Sequence, residues 1–162
     1  MSSKLPSSQT IIYQLILFLS FSLSVNYFTE LKIVNFFSYV LFHLTLIYLM
    51  FYYFNFALFF LYFLYGIFFD IFLINYISPH LISFLILISL FYLLKKYLLN
   101  LSSNRISFII LLIALILFAL EALISYTFFN YPIDYKNLTN IFLTTTVIFI
   151  PILLLFSKID KI

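Results

Sequence analysis

FFSYVLFHLTLIYLMFYYFNFALFFLYFLYGIFFDIFLI, residues 36–74, is a single apolar run of 39 residues. At 1.5 Å per residue one straight helix of that length would measure about 58 Å, nearly twice a ~30 Å hydrocarbon core. The run must therefore fold back once. Its central polar punctuation is Asn55, preceded by Phe51, Tyr52, Tyr53 and Phe54. Tyrosine favours the headgroup level of a bilayer. The pattern predicts a tight turn near Tyr53–Asn55 between spans at 36–54 and 56–74.

The rest of the chain repeats this pattern on both sides. Residues 11–28 form a first apolar stretch, with Lys4 before it and Glu30 and Lys32 after it. A signal peptide would share the basic start and the small residues near Ser22 and Ser24. The stretch is long for such a segment, however, and several more hydrophobic runs follow. After the break at 75–80, Pro79 suits the first turn of a helix, where its missing N–H costs nothing. A fourth span is expected over 81–99, with Lys95 and Lys96 snorkelling at its end. The polar loop 100–105 offers Ser103 or Asn104 as an N-cap. A fifth span is expected at 106–129, a loop at 130–140, and a sixth span at 141–156 with Pro151 inside it, kinked but tolerable in a bundle. The expected architecture is an all-α membrane protein: a bundle of six transmembrane helices forming a single integral membrane domain over 1–162.

Composition supports a bilayer as the solvent. Of 162 residues, 66% are hydrophobic and 8% charged, and mean hydropathy is +1.23. Soluble domains are about a quarter charged, so a soluble globular domain, a disordered chain and a conventional soluble enzyme are excluded. No cysteine is present, which removes disulfides and thiolate metal sites. The net charge of +3 is small and scattered, so no nucleic-acid partner is expected. With six spans and the N-terminus inside, the cytoplasmic segments hold Lys4, Lys95, Lys96, Arg105, Lys158 and Lys161, against Lys32 and Lys136 outside. The positive-inside rule then places both termini in the cytoplasm.

Ionisable residues within spans are costly and mark functional candidates. Asp70, Glu121 and His43 qualify, with His80 at the mouth of the fourth span. Asp70 and Glu121 lie about 6 and about 12 Å from the outer ends of their helices at 1.5 Å per residue. Gly66 is about 40° from Asp70 around the helix, and Glu121 shares a face with Ala114, Phe118 and Ser125, at 100° per residue. Each acid therefore lies on a face that can pack against protein rather than lipid. No Lys or Arg sits inside a span to pair with them. Desolvation then favours the neutral acid, and at least one of the two is expected to be protonated, donating to a Ser, Thr, Asn, Tyr or backbone group. Three roles stay open for the pair: structural hydrogen bonding, a proton-coupled path, or partner binding. His43 reads as a neutral packing histidine, and His80 as a capping or loop residue. The four show no ligand spacing, so no metal is expected. Ser20-x-x-x-Ser24 is a small-xxx-small pattern. No Gly-x-Ser-x-Gly, His-Glu-x-x-His or P-loop occurs, so neither an enzyme nor a cofactor is expected.

Residues 65–98 read Tyr-Gly66-Ile-Phe-Phe-Asp70, then Ile74, Ser78, Pro79 and His80, then an apolar helix ending Lys95-Lys96. This segment resembles the rod shape-determining protein MreD family of the bacterial inner membrane. That family carries Gly-x-x-x-Asp late in one span and a His or other polar residue opening the next. Gly66, Asp70 and His80 match these offsets, whereas Ser78 and Ile74 stand where the family is often glycine-rich. Length, six spans, a basic fourth loop and a short basic tail extend the likeness over the whole chain. The resemblance implies a non-enzymatic elongasome scaffold. Its partners would be an MreC-like periplasmic protein and, through it, an MreB-like filament, a RodA-like protein and a class B penicillin-binding protein, directing peptidoglycan synthesis and cell shape. It also implies a fold similar to the substrate-binding subunits of energy-coupling factor transporters, so a vitamin-binding subunit is the alternative. For the scaffold, a notch at Gly66 beside Asp70 is the expected seat for a partner's transmembrane helix, with Pro79 and His80 the competing place.

Overall fold

In a computed structural model, residues 7–25, 32–74, 79–98 and 102–161 are described, the side chains at 7, 95, 96, 103 and 104 excepted. They form six helices: α1 (Ser7–Val25), α2 (Lys32–Tyr53), α3 (Phe56–Ile74), α4 (Pro79–Leu98), α5 (Ser103–Phe129) and α6 (Tyr135–Ile159). Five of these are long and apolar enough to cross a membrane. The apolar part of α4, Pro79–Leu94, is shorter. The chain is thus an all-helical protein of the multi-pass membrane type. Lys4, Glu30 and Ser78 fall outside the described residues.

The turn inside the long apolar run is minimal. Only Phe54 and Asn55 leave the helical conformation. Asn55 Oδ1 accepts the N–H of Leu58 at 3.0 Å, capping α3 from the residue that punctuates the run.

Helix α2 is the axis of the bundle. Every residue from Phe42 to Phe51 is buried, which spans all directions around a helix, and only an enclosed helix can bury them all. Ring contacts tie it to each neighbour: Phe42 to Phe21 of α1 (6.0 Å between centroids) and to Phe69 of α3 (4.7 Å), Phe51 to Phe91 of α4 (4.9 Å), His43 to Phe118 of α5 (4.9 Å), and Tyr48 to Phe156 of α6 (4.8 Å). The surrounding helices turn large apolar side chains outward, among them Phe18, Phe60, Leu93, Phe108 and Val147. Apolar burial gives helices no net attraction in lipid, so packing and buried polar bonds hold such a bundle.

Two expectations about local structure are corrected. The N-cap of α5 is Ser102 rather than Ser103 or Asn104, and its side chain makes no capping bond. Helix α6 starts at Tyr135, well before 141, because Asp134 accepts the N–H groups of Lys136 and Asn137 at 3.1 Å each and so opens the helix early. It then runs through Pro151 to Ile159. Ser20 and Ser24, the small-xxx-small pair, are both buried in α1. Their hydroxyls donate to carbonyls of their own helix, Ile16 and Phe21, at 2.6 and 2.8 Å.

At the end of the bundle where α2 turns into α3, Asp160 follows α6 and meets two tyrosines. Tyr13 of α1 donates to it at 2.9 Å, and Tyr48 of α2 donates to its second oxygen. Gln9 of α1 donates to the carbonyl of Ile159 at 3.2 Å.

Candidate functional site

The opposite end brings together the start of α2, the end of α3, the start of α4, the end of α5 and the start of α6. Gly66 sets the geometry. A Cβ placed on it would lie 2.7 Å from Leu81 Cα and 3.2 Å from Leu81 N. Backbone meets backbone there, so only glycine allows α4 to approach α3 this closely. The notch expected to seat a partner's helix is therefore filled by the chain's own α4, and that expectation is overturned.

One helical turn beyond Gly66, fully buried Asp70 caps α4. Its Oδ1 accepts the backbone N–H of His80 at 2.9 Å, and its Oδ2 accepts that of Leu81 at 3.0 Å. A carboxylate at a helix N-terminus satisfies orphan donors and the helix dipole together. Pro79, first in α4, offers no N–H and needs no partner. The same Oδ1 lies 2.8 Å from His80 Nδ1.

From His80 the contacts run across the bundle. His80 Nε2 is 3.0 Å from the Tyr39 hydroxyl, and that hydroxyl is 2.7 Å from Glu121 Oε2. Glu121 Oε1 is 3.1 Å from His43 Nε2, and His43 Nδ1 is 2.8 Å from the carbonyl of Tyr39. Asp70, His80, Glu121 and His43 are all buried. Phe69 stacks on His80 (5.4 Å between centroids), and Phe118 lies against both Tyr39 and His43. These rings, themselves buried, pack against the polar chain inside the bundle.

The protons can be counted. Five contacts run from Asp70 to the Tyr39 carbonyl, and each needs one proton. Two carboxylates, two doubly protonated imidazoles and one phenol supply five. So do one carboxylate, one carboxylic acid, one imidazolium, one neutral imidazole and the phenol. In both arrangements the charges of Asp70, His80, Glu121 and His43 cancel. Moving a proton from His80 Nε2 to Tyr39 while Tyr39 passes its own to Glu121 converts one into the other with no hydrogen bond lost. The arrangement can hold charge and relay protons within itself. Among the described residues, no group of three His, Cys, Asp or Glu side chains is placed to hold a metal ion.

The sequence reading looked only for Lys or Arg partners, whereas each acid has a histidine beside it. Asp70 pairs with His80 and Glu121 with His43. Asp70 acts as an acceptor at both oxygens, while Glu121 is able to donate to Tyr39 in the second arrangement. Asp70 and Glu121 do not touch directly. Sequence reasoning missed Tyr39, the residue that joins the halves. Its signal was its place four residues before His43, on the same helical face.

A cavity of about 200 Å³ opens beside the network, lined by Tyr39, His80, Phe118, Glu121, Ser125 and Asp134 among others. Comparison with protein-family models, with curated proteins and with solved structures finds no match to this chain.

Proposed function

We propose that this chain is a non-catalytic scaffold of the bacterial cell-elongation machinery. It sits in the inner membrane with six crossings and both termini cytoplasmic, resembles MreD, and supports lateral peptidoglycan synthesis through an MreC-like partner. The observation that carries this reading is the convergence of Gly66, Asp70 and His80. The residues on which the resemblance rests form one physical unit, in which Gly66 admits α4, Asp70 caps it and His80 is pinned by that cap. A rigid α3–α4 hairpin end, locked through Tyr39 to α2 and α5, suits a protein whose task is to present a fixed surface. The partner then reads the surface around this end, since Gly66 and His80 themselves are buried.

Depletion in the native host tests the reading. Rods are expected to round up, and an MreC-like protein is expected to co-purify with the chain. Unchanged rods on full depletion would end it.

One observation favours a second reading. The polar and aromatic cavity at this end is where a vitamin-binding transporter subunit, the fold relative implied by the resemblance, would hold its ligand. Its volume of about 200 Å³ falls below the ~300–1,000 Å³ usual for such ligands, which ranks this reading second. A vitamin requirement on depletion, with shape unaltered, would reverse the order.

A further inference from the structure

The network needs more protons than its residues hold when both imidazoles are neutral. Two carboxylates, two neutral imidazoles and one phenol supply three, whereas the five contacts from Asp70 to the Tyr39 carbonyl need one each. With three, two contacts are left as acceptor facing acceptor, within the 2.7–3.1 Å that the network spans. Lone pairs repel there, and the buried carboxylates of Asp70 and Glu121 have no positive charge beside them. One emptied contact always falls at Tyr39. Neutral His80 keeps its proton on Nδ1, toward Asp70, so its Nε2 is an acceptor. The Tyr39 hydroxyl then has one proton for two acceptors, His80 Nε2 on α4 and Glu121 Oε2 on α5. The α3–α4 contact does not share this dependence, because Asp70 still accepts the backbone N–H groups of His80 and Leu81.

The network is buried but not sealed. The cavity of about 200 Å³ is lined by Tyr39, His80 and Glu121, and also by Asp134 and Asn137, which are exposed and form its mouth. A water takes up about 30 Å³, so the space admits several. The histidines face Tyr39 on α2, Asp70 on α3 and Glu121 on α5, and Asp134 precedes α6 at the mouth. From α1 comes an apolar ring, Phe21, against Phe69 (5.0 Å between centroids). Lys32 and Lys136 are exposed and line a separate surface pocket that shares Asp134. We propose that this end of the bundle is a pH-operated latch: protons entering through the cavity complete the network and lock α2 to both α4 and α5, and their loss as pH rises frees α2 from one of the two. The sign follows from the count. The locked form binds two protons more, so acid favours it and alkali releases it. Because the mouth lies at one end of the bundle, the latch responds to the pH on one side of the membrane. The inference stands apart from the scaffold reading, because it is tested on the purified chain with no partner present.

The two histidines of the chain both belong to the network, and the chain has no cysteine. In lipid nanodiscs, ¹⁵N-histidine NMR between about pH 5 and pH 9, which brackets the ordinary charge change of histidine, is expected to show protons leaving the imidazoles as pH rises, until one nitrogen of each ring stays protonated. Spin labels on Ile33→Cys in α2, paired with Phe128→Cys in α5 or with Ile86→Cys in α4, sit at exposed positions and report the latch itself. One of the two distances is expected to lengthen over the same pH range. Glu121→Gln offers Tyr39 an amide N–H at every pH, which lets the Tyr39 proton serve His80, so this variant is expected to hold both distances at alkaline pH. A variant that merely loosened the fold would lengthen them. Ser125→Leu narrows the cavity without altering a network member, and is expected to slow solvent exchange of the imidazole N–H protons at least about tenfold with the end points unchanged. Constant imidazole protonation across the range, fixed distances while the histidines titrate, or a folded Glu121→Gln chain that still opens would overturn the latch. Unchanged exchange in Ser125→Leu would overturn the cavity as its proton route.

Discussion

Asp70 and Glu121 are joined without touching. Between the two carboxylates stand His80 and Tyr39, at 2.8 Å from Asp70, 3.0 Å from each other and 2.7 Å from Glu121. The single phenol hydroxyl makes one unit of two ion pairs on different helices, and it turns local protonation into a property of the whole end of the bundle.

Tyr39→Phe keeps the ring contacts and removes the hydroxyl. Asp70–His80 and Glu121–His43 then become separate pairs. The ¹⁵N NMR signals of His80, which loses the partner of its Nε2, and of His43 are expected to move from their parent positions. Stability is expected to fall by about 1–3 kcal/mol, the cost of leaving buried partners unsatisfied. Histidine spectra identical to the parent would show that the hydroxyl links nothing.

Gly66→Ala is expected to destabilise by about 1–3 kcal/mol, as overpacking does. The clash is with Leu81 Cα at 2.7 Å. Trimming the neighbouring side chain by Leu81→Ala therefore does not rescue it. Thermal unfolding in detergent of the two single variants and the double variant checks this, and a recovered midpoint in the double variant would contradict it.

Asp70→Asn replaces a buried acceptor with a group that presents N–H toward N–H. Breaking a buried pair in this way costs about 3–5 kcal/mol. Chemical denaturation should find a loss of that order, together with early hydrogen exchange in the first turn of α4. A loss below about 1 kcal/mol would mean that the cap contributes little.

At the other end, Tyr13→Phe and Tyr48→Phe each delete one donor to Asp160. Hydrogen bonds to a charged group contribute about 1.5–3 kcal/mol. The second deletion is expected to cost less than the first, because both serve one carboxylate. Faster amide exchange in the last turn of α6, read by mass spectrometry, is the expected signature. Additive losses with unchanged exchange would argue against a shared clamp.

Much of the helical layout was legible because it rests on length and hydropathy. A run of 39 apolar residues cannot cross a bilayer once, and Asn55 was the sole polar interruption near its middle, so the α2–α3 turn could be placed closely. The start of α6 was not legible in the same way: hydropathy sees the apolar stretch from 141 onward, whereas the helix begins where Asp134 caps it. Asp70, Glu121 and His80 stood out as ionisable groups in apolar surroundings. Their partners did not, since pairing depends on which helices are neighbours across the bundle. Tyr39 was hidden among 14 tyrosines, and the role of Gly66 became visible only once Leu81 was found against it.

The enclosure of α2 carries a consequence for biogenesis. His43 and Glu121 are 78 residues apart, so at about 5–20 residues per second the ribosome delivers Glu121 roughly 4–16 s after His43. Through that interval the most interior helix waits in the insertion machinery or the lipid with its imidazole uncovered. The wall that will shelter it has yet to be synthesised. The newborn chain is most exposed to insertases and membrane proteases at that stage, and a ribosome stalled before the fifth helix leaves them a substrate with its centre open.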